Sequence, residues 1–282
     1  MTDGRYRDYD VLGKDRWRAA TYAFVKEIVA ADVVVFTALI DATALNAFRD
    51  RCGSLGLDKP SWTALVVKSI SMALRGHPAL NRLLLRGLYR HRPIELSDVH
   101  AVVAVERVRG AEDTVYAQIL RNTDYKTVWQ ISEELRKAST VDEAEDRRLE
   151  LFMKVIRRMP GPIARGILTL PRWSPRQWLK HRGGAFALTT VGKYGVESIF
   201  VKWPWPLSFT FGEVKERPVA VDGKVQAHLS FYLSLAWNRE LTNGAPAARF
   251  FNDIVDYLAQ ARLTEEEKKQ VGDSGSDHAS DT

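Results

Sequence analysis

The sequence has little cysteine: Cys52 is the single thiol among 282 residues. One thiol excludes an internal disulfide framework and a cysteine-based metal cluster, and it points to a reducing compartment. No apolar run approaches the roughly 18 residues that a membrane-spanning helix needs. The opening stretch MTDGRYRDYDVLGKDRWR lacks the apolar centre of a secretory signal. There is no internal repeat, and TTVGKYG, although it carries two glycines, lacks the spacing of a phosphate-binding loop. The expectation from these absences is a soluble, cytoplasmic chain with no metal site and no covalently bound cofactor.

Charge is plentiful but unevenly placed. The net charge is +6, yet residues 263–282 hold six acids against Lys268 and Lys269. Between Arg147 and Arg182 there are ten Arg and Lys residues and one acid, Glu150, so this stretch holds most of the excess. That distribution argues against a general nucleic-acid coat and for one local basic surface. Apolar residues, among them Ile156, Ile163, Leu170, Trp173 and Trp178, interleave with the charges. Two readings stay open for it. One is a solvated helical appendage packed on the domain; the other is an element facing an anionic membrane surface, peripheral to the inner membrane.

Periodicity gives a coarse map. Trp17–Val29 reads as a helix and Asp32–Asp41 as a β-branched strand. ATALNAFRDRC is helical, and SWTALVVKSISMALRGHP is a helix with Ser61 as its N-cap and Gly76 ending it. HAVVAVERV and TVYAQILRN are strands, followed by the helix KTVWQISEELRKAS. A charged helix begins near Thr140 and passes into a proline-broken stretch. AFALTTVGKYG, LSFTFGEVKERPVAVDG and KVQAHLSFYLSLAW then alternate like antiparallel strands, with Asp222-Gly223 as a tight turn. APAARFFNDIVDYLAQARL is the last helix, and GDSGSDHASDT is too polar to fold alone. The late strand run is not interrupted by helices, which fits an α+β sandwich better than a doubly wound parallel sheet. One domain is expected over residues 1–262, with a basic helical insertion at 140–182, and a disordered acidic tail over 263–282.

Several of these stretches resemble one family. SWTALVVKSISMALRGHPALN, GAFALTTVGKYG and LSLAWNRELTNGAPAARFF are similar, in this order, to motifs of the dihydrolipoyl acyltransferase catalytic domain of 2-oxo acid dehydrogenase complexes. WPWPLSFTF is similar to a stretch of chloramphenicol acetyltransferase, with Trp205 and Pro206 in reverse order. The resemblance implies a two-layer α+β sandwich, a mixed sheet with helices on one side, and a homotrimer with its site between subunits. It also implies acyl transfer from a thioester such as acyl-coenzyme A to a thiol or hydroxyl. A histidine then serves as general base and a serine or threonine hydroxyl as oxyanion donor. No lipoyl module is expected before residue 15.

Carried onto this chain, the family's histidine position holds Arg239, flanked by Asn238, Glu240, Asn243 and Gly244, of which only the glycine keeps the motif. A guanidinium stays protonated at neutral pH and cannot accept a proton. Ser208 matches the oxyanion serine, and Thr189 and Thr190 stand where the family often has a hydroxyl. His228 precedes Arg239 by eleven residues on one strand, about 35 Å away at the usual rise per residue and on the opposite face. The sequence therefore supports an acyltransferase-like protein for acyl thioesters or a lipid-like acyl substrate, with low or altered activity. Asn238, Thr189 and Thr190 are its candidate substrate-binding residues. The alternative is a non-catalytic trimeric binding or scaffold subunit, in which Arg239 is either satisfied by neighbours or holds an anion.

Overall fold

A computed structural model describes residues 33–86, 91–109, 112–140, 160, 163, 166–167, 170–221, 223–262 and 264–272. The expected helix at Trp17–Val29 and the charged helix after Thr140 lie outside these residues, as do residues 273–282.

A mixed sheet organises the fold. Its strands are β1 (Val33–Asp41), β4 (Ala101–Arg109), β5 (Glu112–Leu120), β6 (Phe186–Thr190), β7 (Leu207–Phe211), β8 (Lys215–Val221) and β9 (Lys224–Asn238), in the order β1-β9-β7-β6-β4-β5 with β8 also on β9. A separate hairpin joins β2 (Arg82–Arg86) and β3 (His91–Glu95). β9 is long enough to pair with three strands, all antiparallel. The expected antiparallel run holds for β7, β8 and β9 but not for β6, which pairs parallel with both β4 and β7. The segment between β6 and β7 must therefore cross back along the sheet, and that crossing shapes the site below.

Helices cover one face. They are α1 (Thr43–Ser54), α2 (Trp62–Gly76), α3 (Val128–Thr140) and α5 (Gly244–Ala259). Alternate side chains of the strands (Phe186 and Leu188; Leu207, Phe209 and Phe211; Phe231, Leu233, Leu235 and Trp237) meet them in one core. This is the period-2 alternation of a strand with one face packed. In α2, the run Ala64–Ser71 is buried without a break, which makes it a central helix. The Ser61 Oγ accepts the Ala64 N–H at 3.1 Å, the expected N-cap, and Gly76 ends the helix before Pro78. Phe250 of α5 packs edge-on against Phe209 of β7 at 6.2 Å between ring centres. Burying one such ring contributes about 1.5–3 kcal/mol.

The opposite face also carries structure among the described residues. The β2–β3 hairpin and α4 (Pro175–Arg182) lie there, and Leu83, Leu85, Trp178 and Trp205 pack with Val102 and Ala187. Trp178 and Arg182, at the end of the basic segment, are buried. Trp173, Ile163 and Leu170 remain exposed.

The segment expected as a disordered tail from residue 263 is also corrected. Residues 264–272 include a short helix, α6 (Glu265–Gln270), opened by a capping box between Thr264 and Glu267. The Glu267 side chain is fully buried, and its Oε1 accepts the Val128 N–H at the start of α3 at 2.7 Å. Val271 joins the main core. A carboxylate at a helix N-terminus satisfies an otherwise orphaned donor and complements the helix dipole, which is why this acidic stretch docks rather than floats.

Candidate functional site

The site is the turn that leads from the sheet into the helical layer. β9 ends at Asn238, which is in register with Val33 of β1. The Asn238 N–H donates to the Pro206 carbonyl at 3.1 Å. Its own Oδ1 accepts the Glu240 N–H at 2.9 Å, and its carbonyl accepts the Leu241 N–H at 3.0 Å. Asn238 therefore folds the turn with its side chain, as Asn does in Asx turns. Its amide oxygen is occupied by that role rather than offered to a substrate.

Arg239 follows, exposed, and its guanidinium makes no hydrogen bond or ion pair among the described residues. Leu241 is buried and anchors the loop. Asn243 is the exposed N-cap residue of α5, and its side chain makes no capping bond. Two side chains that project from this turn, Arg239 and Asn243, are thus uncommitted.

In β7, Ser208 and Thr210 present their hydroxyls on the face away from the helices. Ser208, 2% exposed, is in register with Ala236 and Ala187. Its Oγ accepts the Trp203 N–H at 3.1 Å. Thr210 Oγ1 donates to the Ile199 carbonyl, and the Glu213 N–H donates to the Val196 carbonyl at 2.8 Å. Residues 196–203 thus form a strap laid along β7 and pinned at three places. Gly212 makes room for it: a Cβ there would lie 1.8 Å from the Glu197 carbonyl oxygen. Ser208, expected as an oxyanion donor, is placed as one of the pins. Thr190 is also committed, donating to the Phe211 carbonyl at 2.8 Å and accepting the Gly192 N–H at 3.1 Å. Thr189 is half-buried, and its hydroxyl makes no hydrogen bond among the described residues.

Three histidines have partners away from the turn. His77 Nε2 is 2.6 Å from Asp253, His228 Nδ1 is 2.6 Å from Asp41, and His100 Nδ1 accepts the Asn122 N–H at 3.1 Å. None of these partners belongs to the turn or the strap. Burial, with Arg121 nearby, pulls the His100 pKa below its usual value.

One residue escaped the sequence reading. Lys202 sits at the end of the strap, and its Nζ donates to the Trp205 carbonyl at 2.6 Å and to the Pro206 carbonyl at 3.3 Å. The Pro206 oxygen is the one that also receives the Asn238 N–H. Burial of the ammonium end lowers the Lys202 pKa to about 8. A lone cation inside the aromatic run FVKWPW was the available signal.

Comparison with known proteins agrees with this architecture. Residues 21–151 and 179–264 match the family described as 2-oxoacid dehydrogenases acyltransferase (catalytic domain), leaving the centre of the basic segment between the two stretches. The dihydrolipoyllysine-residue acetyltransferase component of the pyruvate dehydrogenase complex of Mycoplasma capricolum is 20% identical over 241 residues. The match covers 82% of this chain and 47% of that relative, so the chain spans about half its length. A solved Azotobacter vinelandii dihydrolipoamide acetyltransferase, studied for the catalytic roles of a serine, a histidine and an asparagine, shares 21% identity and a TM-score of 0.66, covering 93% of this chain and 96% of that one. A solved cubic core of the pyruvate dehydrogenase multienzyme complex gives 22% and 0.68 with the same coverage.

Proposed function

The chain belongs to the 2-oxoacid dehydrogenases acyltransferase (catalytic domain) family, and from that premise we propose that it transfers an acyl group from a coenzyme A thioester, with Arg239 holding an anionic part of the substrate. The carrying observation is the uncommitted guanidinium at the Asn238–Asn243 turn, exposed and without a partner among the described residues. A planar fork of donors suits a carboxylate or a phosphate oxygen pair. Asn238 and Asn243 supply no competing carboxylate. In the Azotobacter enzyme, the histidine and the asparagine studied for catalysis are four positions apart. Arg239 and Asn243 have that same spacing, so an amide at position 243 is compatible with acyl transfer while the residue at 239 has changed its task. Thr189, whose hydroxyl has no partner among the described residues, serves better than Ser208 as the donor to a developing oxyanion.

We further read the protein as a trimer, as the resemblance implies. The outward side chains of β1, Val33, Val35 and Leu39, are exposed on an edge strand and leave an apolar face for another subunit to cover.

Calorimetry with coenzyme A tests the reading directly. Arg239→Ala weakens binding roughly tenfold to a hundredfold, the loss of one charge-assisted contact, and slows acetyl-CoA turnover with it. Equal binding by wild type and variant overturns the role of Arg239. Binding without any turnover in the wild type overturns acyl transfer and leaves a binding subunit.

A further inference from the structure

The turn keeps a place for substrate but has lost its proton acceptor, and acyl transfer to a thiol needs one. Lys202 stands against that turn. Its Nζ and the Asn238 N–H donate to the same Pro206 oxygen, so the amine is within two hydrogen-bond lengths of the residue preceding Arg239. The two carbonyls of Trp205 and Pro206 are its hydrogen-bond partners. They leave one position on the nitrogen unfilled, the third N–H of the ammonium or the lone pair of the neutral amine.

Lys68 is the instructive contrast. Its Nζ also donates to two carbonyls, of Asp124 and Lys126, at 2.8 and 2.6 Å. Burial lowers the Lys68 pKa too, but there the carboxylates of Glu267 and Asp124 oppose the shift, and the side chain locks α2 to the start of α3. Lys202 has no carboxylate paired with it among the described residues, and burial alone acts on its charge. The charged residues on the elements around it are Glu197 on the strap, already paired with Lys215 at 2.5 Å, and Arg239 and Glu240 across the turn. Arg182 joins them through its carbonyl, which accepts the Trp205 Nε1–H at 2.7 Å.

We propose that the Lys202 amine is the general base of this acyltransferase, taking over the proton transfer that Arg239 cannot perform. The inference rests on the acyl-transfer reading above. The neutral amine takes the proton of the acceptor thiol and becomes an ammonium. The thiolate attacks the thioester carbonyl carbon, forming a new C–S bond and a tetrahedral oxyanion. The oxyanion collapses, the C–S bond to coenzyme A breaks, and the ammonium returns its proton to the departing coenzyme A thiolate. A thiol titrates near about 8.5, so a base near 8 is matched to it.

The test is the pH profile of kcat/KM for acetyl-CoA with two thiol acceptors of different acidity. In the wild type, activity rises with pH and levels off near 8 with both acceptors. Lys202→Met loses about 10²-fold or more of kcat/KM and loses that limb, with coenzyme A affinity and melting temperature retained. Lys202→Arg keeps a cation on the two carbonyls but cannot accept a proton, so it does not rescue. Turnover in Lys202→Met equal to wild type overturns the inference and leaves acyl transfer standing, as does rescue by Lys202→Arg or a limb that follows the acceptor. A wild type that binds coenzyme A without turnover overturns the acyl-transfer reading and this base together.

Discussion

Replacing Gly212 by alanine probes the strap that carries Lys202. The added methyl would sit 1.8 Å from the Glu197 oxygen, 2.4 Å from its carbonyl carbon and 2.9 Å from the Val196 oxygen. All three are backbone atoms, so no side-chain rotation relieves the clash, and the strap must lift off β7. Lifting it strains or breaks the Glu213–Val196, Thr210–Ile199 and Trp203–Ser208 hydrogen bonds. At about 1 kcal/mol each, with a further 1–3 kcal/mol for overpacking, the loss comes to about 4–6 kcal/mol. For a chain of this size that lowers the melting temperature by on the order of 10 °C. Calorimetric melting beside Gly244→Ala is the assay. An added Cβ at Gly244 meets nothing within 4 Å, so that control stays within about 1 kcal/mol of wild type. Gly212→Ala melting with the wild type would show that the strap yields freely, and would refute the account of it as pinned along β7.

Glu267→Ala removes the acceptor for the Val128 N–H and for Thr264, and denaturant unfolding should show a loss of about 2–4 kcal/mol; an unchanged midpoint would mean that α6 does not brace α3. His100 is buried with its pKa below the usual value, so the unfolded chain binds the proton first. Stability is then complete above about pH 6.5 and declines as pH falls through the lower folded value; urea titrations should show this acid limb in wild type and less of it in His100→Gln. Sedimentation should give three times the 31.9 kDa chain mass, and a stable monomer at micromolar concentration would contradict the trimer. Vesicles with anionic lipid should bind the protein through the basic segment and its exposed Leu170 and Trp173, less so as salt rises; equal binding to neutral vesicles would remove the electrostatic part.

Legibility in the sequence followed the range of the interactions. The Ser61 cap and the ladder of β4 with β5 are local, and both stand where the pattern put them. The parallel pairing of β6 was not legible, because LTT followed later by LSFTF reads the same whichever way the strands run. Glu267 looks like Glu265 and Glu266 in an acidic stretch, and only its fit against Val128, 139 residues earlier, separates it from them. The TEEE pattern at Thr264–Glu267 was nevertheless a readable helix start. At the candidate site, the substitution at Arg239 was visible and its lack of a partner was not. Lys202 could be seen as a lone cation among aromatics, but its position beside the turn depends on the strap crossing β7.

The pairing of β1 has a consequence for how the chain is made. Asp41 is in register with Ser230 and Val33 with Asn238, so this β-branched strand finds its β9 partner only after some 190 further residues have been translated. At about 5–20 residues per second that is roughly 10–40 s. Throughout this interval VVVFTALID lacks its β9 partner. A strand waiting for its partner is an aggregation hazard during synthesis, and a client segment for a holdase at the exit tunnel.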